Sequence, residues 1–210
     1  MITKRKSSLS ILKAFGILLI TIPIIILSLN KIYDIINRKE DIKKINAYFE
    51  ETSHNQEIPI DNKSNKINEE ESLELNYIAV LEIPEISLKK GLFSTNNKYN
   101  DVNYNVTILP TSEMPNVINS NLILASHNGS SKVSYFKNLS KLNKGSLIYI
   151  YYQGTKYVYK VNNYYEINKG QEIDIVRDRT VNTITLITCK DNSDTLQIAY
   201  IAYLISTETY

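Results

Sequence analysis

The longest apolar run of the chain lies close to its N-terminus, and its length limits what it can form. It extends from Leu9 to Leu29 and contains one charged residue, Lys13. About 20 apolar residues in a helix cross the hydrocarbon core of a bilayer, where Pro23 is tolerated and Lys13 can reach the interface. No Ala-x-Ala-like cleavage site follows the run. We therefore predict an uncleaved transmembrane anchor over this range, after a cytoplasmic tail over residues 1–8.

Basic residues flank the anchor on both sides, so counting positive charges does not set its orientation. The N-terminal tail is too short to form a domain, so we place the functional part of the protein after the anchor. We therefore expect a single-pass protein of the cell membrane whose C-terminal part is extracellular.

Two segments of different composition separate the anchor from the rest of the chain. From residue 30 to residue 50, isoleucines recur at roughly helical spacing among charges, which predicts a stalk helix. From residue 51 to residue 75, apolar residues are few and the sequence is typical of a flexible polar linker. His54 lies in this linker with no packing to orient it, so we assign it no catalytic role.

Short strand patterns follow one another through the folded domain that we place at residues 76–210. Alternating or continuous runs of β-branched and aromatic residues are bounded by proline, glycine and asparagine. The predicted strands are 77–84, 87–93, 102–109, 121–125, 146–152, 156–163, 183–189 and 196–205. One short helix is predicted at 132–142. About eight strands without βαβ alternation predict an all-β domain, either closed or sandwiched.

Charge and cysteine content exclude some functions. The chain carries 24 basic and 22 acidic side chains, a balance that gives no footprint for nucleic acid. A single cysteine excludes an internal disulfide. The acidic residues of the folded part form no Asp-x-Asp-x-Asp-Gly loop, so no metal site is predicted.

The single cysteine, Cys189, ends the apolar run that begins at Thr185 and precedes the turn-prone segment 190–194. His127 ends a similar apolar run. Either residue alone has an ordinary explanation, a small buried side chain for Cys189 and an exposed turn residue for His127. A nucleophilic cysteine needs a base or ion-pair partner to hold its thiolate, and both residues end strands. Together they predict a Cys–His active pair.

These residues resemble the sortase family. The run Thr185–Cys189 matches the sortase signature Thr-Leu-x-Thr-Cys, and Leu124–His127 is similar to the segment that ends in Ala-Gly-His, with Ser126 in place of glycine. The anchor, the linker and the C-terminal β domain also match. The resemblance implies a closed eight-stranded β-barrel with one or two short helices after a single transmembrane helix. The sortase class is not settled by the sequence, and a B- or D-like type is expected.

The resemblance also implies an activity and its residues. A sortase of this kind is a cysteine transpeptidase that cuts a Leu-Pro-x-Thr-Gly-like sorting signal of surface proteins between Thr and Gly. Cys189 would form the thioacyl enzyme, His127 would transfer protons, and Thr188 and Ser126 would lie near the oxyanion or the substrate. The acceptor would be an amine of a peptidoglycan precursor or a pilin lysine, and no cofactor is implied.

One position departs from the family pattern. Sortases carry an arginine on the strand after the cysteine, and alignment of that strand puts Gln197 at the arginine position. Three interpretations follow. Gln197 is a working substitute, or Arg177 or Arg179 reaches in from the preceding loop, or the enzyme is slow or inactive and serves as a membrane-tethered binding module.

Overall fold

One long helix, α1 (Lys4–His54), begins the chain and contains Pro23. The computed structural model describes residues 4–54, 76–170 and 175–210, so most of the predicted linker lies outside the described residues. Among the described residues, α1 is the one helix long and apolar enough to cross a membrane, and its large apolar side chains from Phe15 to Leu29 are exposed. The chain divides into two units, residues 1–43 and residues 44–210.

Eight strands form one sheet in the second unit. They are β1 (Ala79–Ile83), β2 (Leu88–Leu92), β3 (Thr107–Ile108), β4 (Asn121–Ala125), β5 (Leu147–Tyr152), β6 (Thr155–Asn168), β7 (Thr183–Cys189) and β8 (Leu196–Thr209). Their order in the sheet is β2-β1-β5-β6-β8-β7-β4-β3. All neighbouring strands are antiparallel except β4 and β7, which are parallel.

The sheet curls until its two edge strands approach each other. Asn105, which precedes β3, donates a side-chain hydrogen bond of 2.8 Å to the carbonyl of Gly91 on β2. Asn105 is buried, so this bond joins the two edges inside the protein. The predicted all-β, eight-stranded barrel is therefore confirmed as a nearly closed barrel, with two short 3₁₀ helices at Pro84–Ile86 and Leu139–Lys141.

Strand alternation divides the buried side chains into an interior and an outer layer. On β4 and β7, Leu122, Leu124, Ile184 and Leu186 point into the barrel interior, which is filled by aliphatic side chains and Phe136. The intervening residues lie on the opposite face, where Ile123 and Ile187 pack with Ala199 of β8 in a separate apolar cluster. Burying each large apolar side chain contributes roughly 1.5–3 kcal/mol.

An aromatic cluster covers the outer face of β1 and β5. It includes the last turns of α1, where the Tyr48 hydroxyl donates a 3.1 Å hydrogen bond to the Tyr151 carbonyl. The Phe49 ring packs edge-on against Tyr151 at 5.0 Å and against Tyr210 at 5.3 Å. The segment from residue 44 to His54 therefore belongs to the second unit.

The predicted strand 102–109 is wrong over most of its length, since only Thr107–Ile108 forms a strand. The Asp101 side chain accepts hydrogen bonds from the backbone N–H and the side chain of Asn103, at 2.7 and 2.8 Å. The Asp101 carbonyl also accepts the N–H of Tyr104 and of Asn105. Local turn bonds of this kind compete with a sheet ladder. The alternation of apolar residues therefore does not produce a strand here.

The predicted helix 132–142 is reduced to one 3₁₀ turn, Leu139–Lys141, preceded by other turns. The backbone N–H of Phe136 donates to the His127 carbonyl at 3.2 Å instead of to a carbonyl of its own turn. Phe136 and Leu139 are nevertheless fully buried, as their spacing predicted. Strands β6 and β8 are each 14 residues long, longer than predicted, because they pair with each other over almost their whole length.

Candidate active site

The parallel pair of β4 and β7 brings together two segments that are distant in sequence. Their register runs from Asn121 opposite Thr183 to Ala125 opposite Ile187. Side chains hold the start of this register, because the Asn121 amide oxygen accepts the hydroxyls of Thr183 at 3.1 Å and Thr185 at 2.9 Å. All three residues are buried. The two threonines thus act both as strand formers and as cross-strand donors.

The same register continues beyond the end of β4. The N–H of Ser126 donates to the Ile187 carbonyl at 3.3 Å, and the Thr188 hydroxyl donates to the Ser126 carbonyl at 2.8 Å. Ser126 is therefore level with Thr188, and the next residue of each segment is His127 or Cys189. Both of these residues are half-buried at the same end of the pair. The alternation of the strand puts Cys189 on the face of Ile187.

Gln197 lies directly opposite Cys189 in the antiparallel pair of β7 and β8. Directly opposed residues of two strands project from the same face of a sheet. Gln197 also lies opposite Ile167 of β6, and like Cys189 it is half-buried. The structure therefore brings the cysteine and the glutamine predicted from the sequence together on neighbouring strands, with the histidine just beyond the end of the next strand.

Ser126 and Thr188 lie in the layer beneath these groups. Both are almost fully buried, and the Thr188 hydroxyl is bonded to the Ser126 carbonyl. The Ser126 hydroxyl donates to the Val133 carbonyl at 3.4 Å. Thr188 precedes Cys189 on a strand whose alternation turns adjacent side chains to opposite faces. Its hydroxyl thus supports the backbone that carries His127.

Asn128 is a site residue that the sequence reasoning missed. Its side-chain amide donates to the Cys189 carbonyl at 3.0 Å and to the Asp191 carboxylate at 2.6 Å. The sequence shows Asn128-Gly129 only as a turn signal after His127. Nothing local to that dipeptide indicates a bond to a residue 61 positions away. The sequence therefore carries no pattern that identifies Asn128 as a site residue.

Lys190 is the basic residue nearest to Cys189 in sequence, and its side chain is paired with a carboxylate. Lys190 follows Cys189 and forms an ion pair of 2.6 Å with Glu166 of β6. Arg177 donates to the carbonyls of Asn119 at 3.1 Å and Val181 at 3.5 Å, both before the first residues of β4 and β7. Cys189 is the last residue of β7 and lies about 20 Å from the first residue of that strand, at ~3.3 Å per residue.

Arg179 lies in the same loop as Arg177 and is exposed. The guanidinium of Arg177 is thus bound at the opposite end of the strands from the thiol. This geometry favours Gln197 over either arginine as the polar group beside Cys189.

An apolar surface adjoins the Cys–His end. Ile123, Ile187 and Ala199 form its buried floor, two residues back from the strand ends, and Tyr165 and Ile175 pack on it. The Tyr165 hydroxyl accepts the N–H of Val176 at 3.1 Å, which ties the loop before β7 to this face. A cysteine that lies level with a histidine and opposite a glutamine, next to an apolar surface, suits attack on a carbonyl of an extended peptide.

Comparisons with known proteins agree with this arrangement. A family model described as the Sortase domain matches residues 81–204. Sortase A of Bacillus anthracis is 31% identical over 125 residues, which are 58% of this chain and 58% of that relative. The match therefore spans less than two thirds of the relative's length.

Solved structures share the fold at lower sequence identity. Listeria monocytogenes sortase A is 23% identical, with a TM-score of 0.54, over 64% of this chain and 90% of that one. A sortase D5 transpeptidase of Clostridium perfringens is 20% identical, with a TM-score of 0.56, over 79% of this chain and 98% of that one. The family model covers more than half of the chain and includes β4, β7 and most of β8. The chain therefore belongs to the sortase family.

Proposed function

We propose that this protein is a membrane-anchored cysteine transpeptidase that cuts a Leu-Pro-x-Thr-Gly-like sorting signal between Thr and Gly. The observation that supports the proposal most strongly is the parallel register of β4 and β7, which brings His127 level with Cys189. A thiol, a base and a polar donor on neighbouring strand ends are the groups that acyl transfer requires.

In the first half of the reaction, the Cys189 thiolate attacks the carbonyl carbon of the signal threonine. A tetrahedral oxyanion forms, and Gln197 donates an amide N–H towards it. As the bond between Thr and Gly breaks, protonated His127 gives its proton to the departing amine. The products are a thioester on Cys189, a free glycine amine and a neutral imidazole.

In the second half, an incoming amine attacks the thioester carbonyl. Neutral His127 takes a proton from the amine nitrogen as the new amide bond forms. The carbon–sulfur bond breaks, and Cys189 leaves as the thiolate. The thiolate and protonated imidazole of the starting state are restored, so protons and charge balance over the cycle without a cofactor.

Thr188 and Ser126 support this chemistry by position. The Thr188 hydroxyl fixes the carbonyl that precedes His127, and both residues are buried below the reacting groups. In our proposal the backbone of these two residues lines the acyl site, while their hydroxyls hold the two strand ends in register.

The proposed partners are surface proteins with a C-terminal sorting signal, and an amine acceptor that is a peptidoglycan precursor or a pilin lysine. The apolar helix α1 supports anchoring in the cell membrane. With a single-pass anchor, the proposed topology keeps a short tail in the cytoplasm and the barrel outside, where both partners are found.

The decisive experiment uses the full chain in detergent micelles with a panel of Leu-Pro-x-Thr-Gly-like peptides and triglycine as the amine. Mass spectrometry is expected to find the acyl fragment of one peptide on Cys189 and its transfer to triglycine. Cys189→Ala and His127→Ala should both lose product. The chain holds one other histidine, so His54→Ala is the matched control and should retain activity. A wild-type chain without adduct on any peptide would contradict the proposal.

A second candidate function rests on one specific observation, the neutral Gln197 beside the thiol. Hydrogen bonds to charged groups are worth roughly 1.5–3 kcal/mol, against 0.5–1.5 kcal/mol for neutral ones. A chain with this deficit could bind sorting signals without turning them over. Peptide binding without a Cys189 adduct, together with slow alkylation of the thiol, is the result that would favour a binding module.

A further inference from the structure

We propose that Asn128 is a positioning residue that holds the histidine-bearing loop against the cysteine-bearing loop. The inference rests on the proposed transpeptidase function and goes beyond it, because neither the family signature nor the strand pattern assigns a role to this asparagine. Its two amide hydrogens are both used, one on the Cys189 carbonyl at 3.0 Å and one on the Asp191 carboxylate at 2.6 Å.

The clamp acts where the regular ladder stops. Strand β4 ends at Ala125 and β7 ends at Cys189, and beyond these ends single backbone bonds remain, from Ser126 N–H to the Ile187 carbonyl and from Lys190 N–H to the Leu196 carbonyl. The Cys189 carbonyl is the last of its strand, and the bond from Asn128 orients the peptide that follows the nucleophile. The bond to Asp191 is charge-assisted, and such bonds are roughly twice as strong as neutral ones.

Hydrogen bonds thereby fix both His127 and the residue that follows it. Its own carbonyl accepts the N–H of the fully buried Phe136 at 3.2 Å, which ties the loop to the barrel core. The next residue, Asn128, ties the same loop to Cys189. A reacting pair displaced by 1 Å can lose on the order of 100-fold in rate. The bonds on the His127 carbonyl and on the Asn128 side chain therefore control a distance on which the proposed reaction depends.

The test compares steady-state transfer of the best peptide of the panel to triglycine by the full chain in micelles, across a set of variants. Asn128→Ala removes both bonds and should lower kcat at least tenfold while KM changes less than twofold, since no substrate contact is lost. Ser130→Ala removes an exposed hydroxyl of the same loop and is the matched control, with kcat within twofold of wild type.

A charge swap separates positioning from a general loss of structure. Asn128→Asp opposes two carboxylates across the loops and should be as slow as Asn128→Ala. The double variant Asn128→Asp with Asp191→Asn restores the bond between positions 128 and 191 and leaves the bond to the Cys189 carbonyl broken, because a carboxylate cannot donate. It is expected to recover at least fivefold over Asn128→Asp, with hydrogen exchange of residues 127–130 slowed in parallel.

The outcomes are distinct. A wild-type chain that acylates normally, with Asn128→Ala within twofold of it, overturns the clamp alone. A double variant no faster than Asn128→Asp also overturns it, as does an equal loss of kcat in Ser130→Ala. A wild-type chain that never acylates overturns the proposed function, and this inference with it.

Discussion

Cys189 and Gln197 lie directly opposite each other on the antiparallel strands β7 and β8, at the end of β7 where the sheet gives way to a loop. Residues so opposed have Cβ atoms about 4.5–5.5 Å apart and share one face. In the proposed assignment, Gln197 stands at the position of the family arginine and offers a neutral amide on the same face as Cys189. The proposed reaction therefore has a hydrogen-bond donor there without a positive charge.

The first prediction concerns this amide. Gln197→Ala should lower kcat/KM for peptide acylation about fivefold, because it loses one hydrogen bond of about 1 kcal/mol. Gln197→Arg should raise the rate several-fold, because a charged donor stabilises an oxyanion more strongly. Ser206→Ala, at an exposed position of the same strand, is the control. Wild-type rates in Gln197→Ala would show that the amide takes no part in acylation.

Arg177 should matter for stability and not for catalysis. Its guanidinium donates to the carbonyls of Asn119 and Val181 at the start of β4 and β7. Arg177→Ala should lower the free energy of unfolding, because two carbonyls lose a donor. The loss should be only about 1 kcal/mol, because part of the guanidinium group is exposed. We expect kcat/KM to stay within twofold of wild type, and Arg179→Ala to change neither quantity. A tenfold loss of activity in Arg177→Ala would restore the loop arginine as the catalytic cation.

Gly91 should tolerate no side chain. The Tyr77 ring lies on its backbone, and a Cβ on residue 91 would overlap that ring. Gly91→Ala should cost about 1–3 kcal/mol of stability, as overpacking in a well-packed core does. In a Tyr77→Ala background the same substitution should cost little, and urea unfolding of the four chains measures the difference. Equal costs in both backgrounds would mean that the ring does not enforce the glycine.

The buried tyrosines should make stability fall at alkaline pH. Burial raises the pKa of Tyr159, and the neighbouring Tyr157 raises it further. Burial is also the largest cause that raises the pKa of Tyr151, and the negative charge of Glu82 is the next. An unfolded tyrosine ionises near pH ~10 while these two stay protonated in the fold. The unfolded state therefore releases its protons first. Stability is fully present below pH ~10 and is lost as the pH rises above it.

The Tyr159 hydroxyl has no hydrogen-bond partner among the described residues. Tyr159→Phe should therefore be stabilising by about 1 kcal/mol at neutral pH. It should also flatten the alkaline slope by up to about 1.4 kcal/mol per pH unit, the contribution of one proton. Tyr104→Phe, which removes an exposed hydroxyl, is the control. Urea titrations between pH 9 and pH 12 give both quantities, and identical slopes in Tyr159→Phe and wild type would contradict the assignment.

Much of the fold could be predicted because its signals are local. The β-branched run before Cys189 formed a strand as expected, and so did the runs at 146–152 and 156–163, which pair through a turn with positive φ at Gln153 and Gly154. Local signals failed where a hydrogen bond outside the regular pattern competed with it. Asp101 turned the alternating segment after it into loop, and the Phe136–His127 bond interrupted the predicted helix.

The sequence by itself determined that a cysteine and a histidine would each end a strand, since strand formers and turn residues act over a few positions. It also determined an apolar helical run that is long enough to cross a bilayer. Only the tertiary structure decided that these strands are parallel neighbours in one register, that Gln197 faces Cys189, and that Asn128 joins the two loops. Each of these relationships joins residues that are distant in sequence. The energy of such a contact depends on which residues the fold brings next to each other.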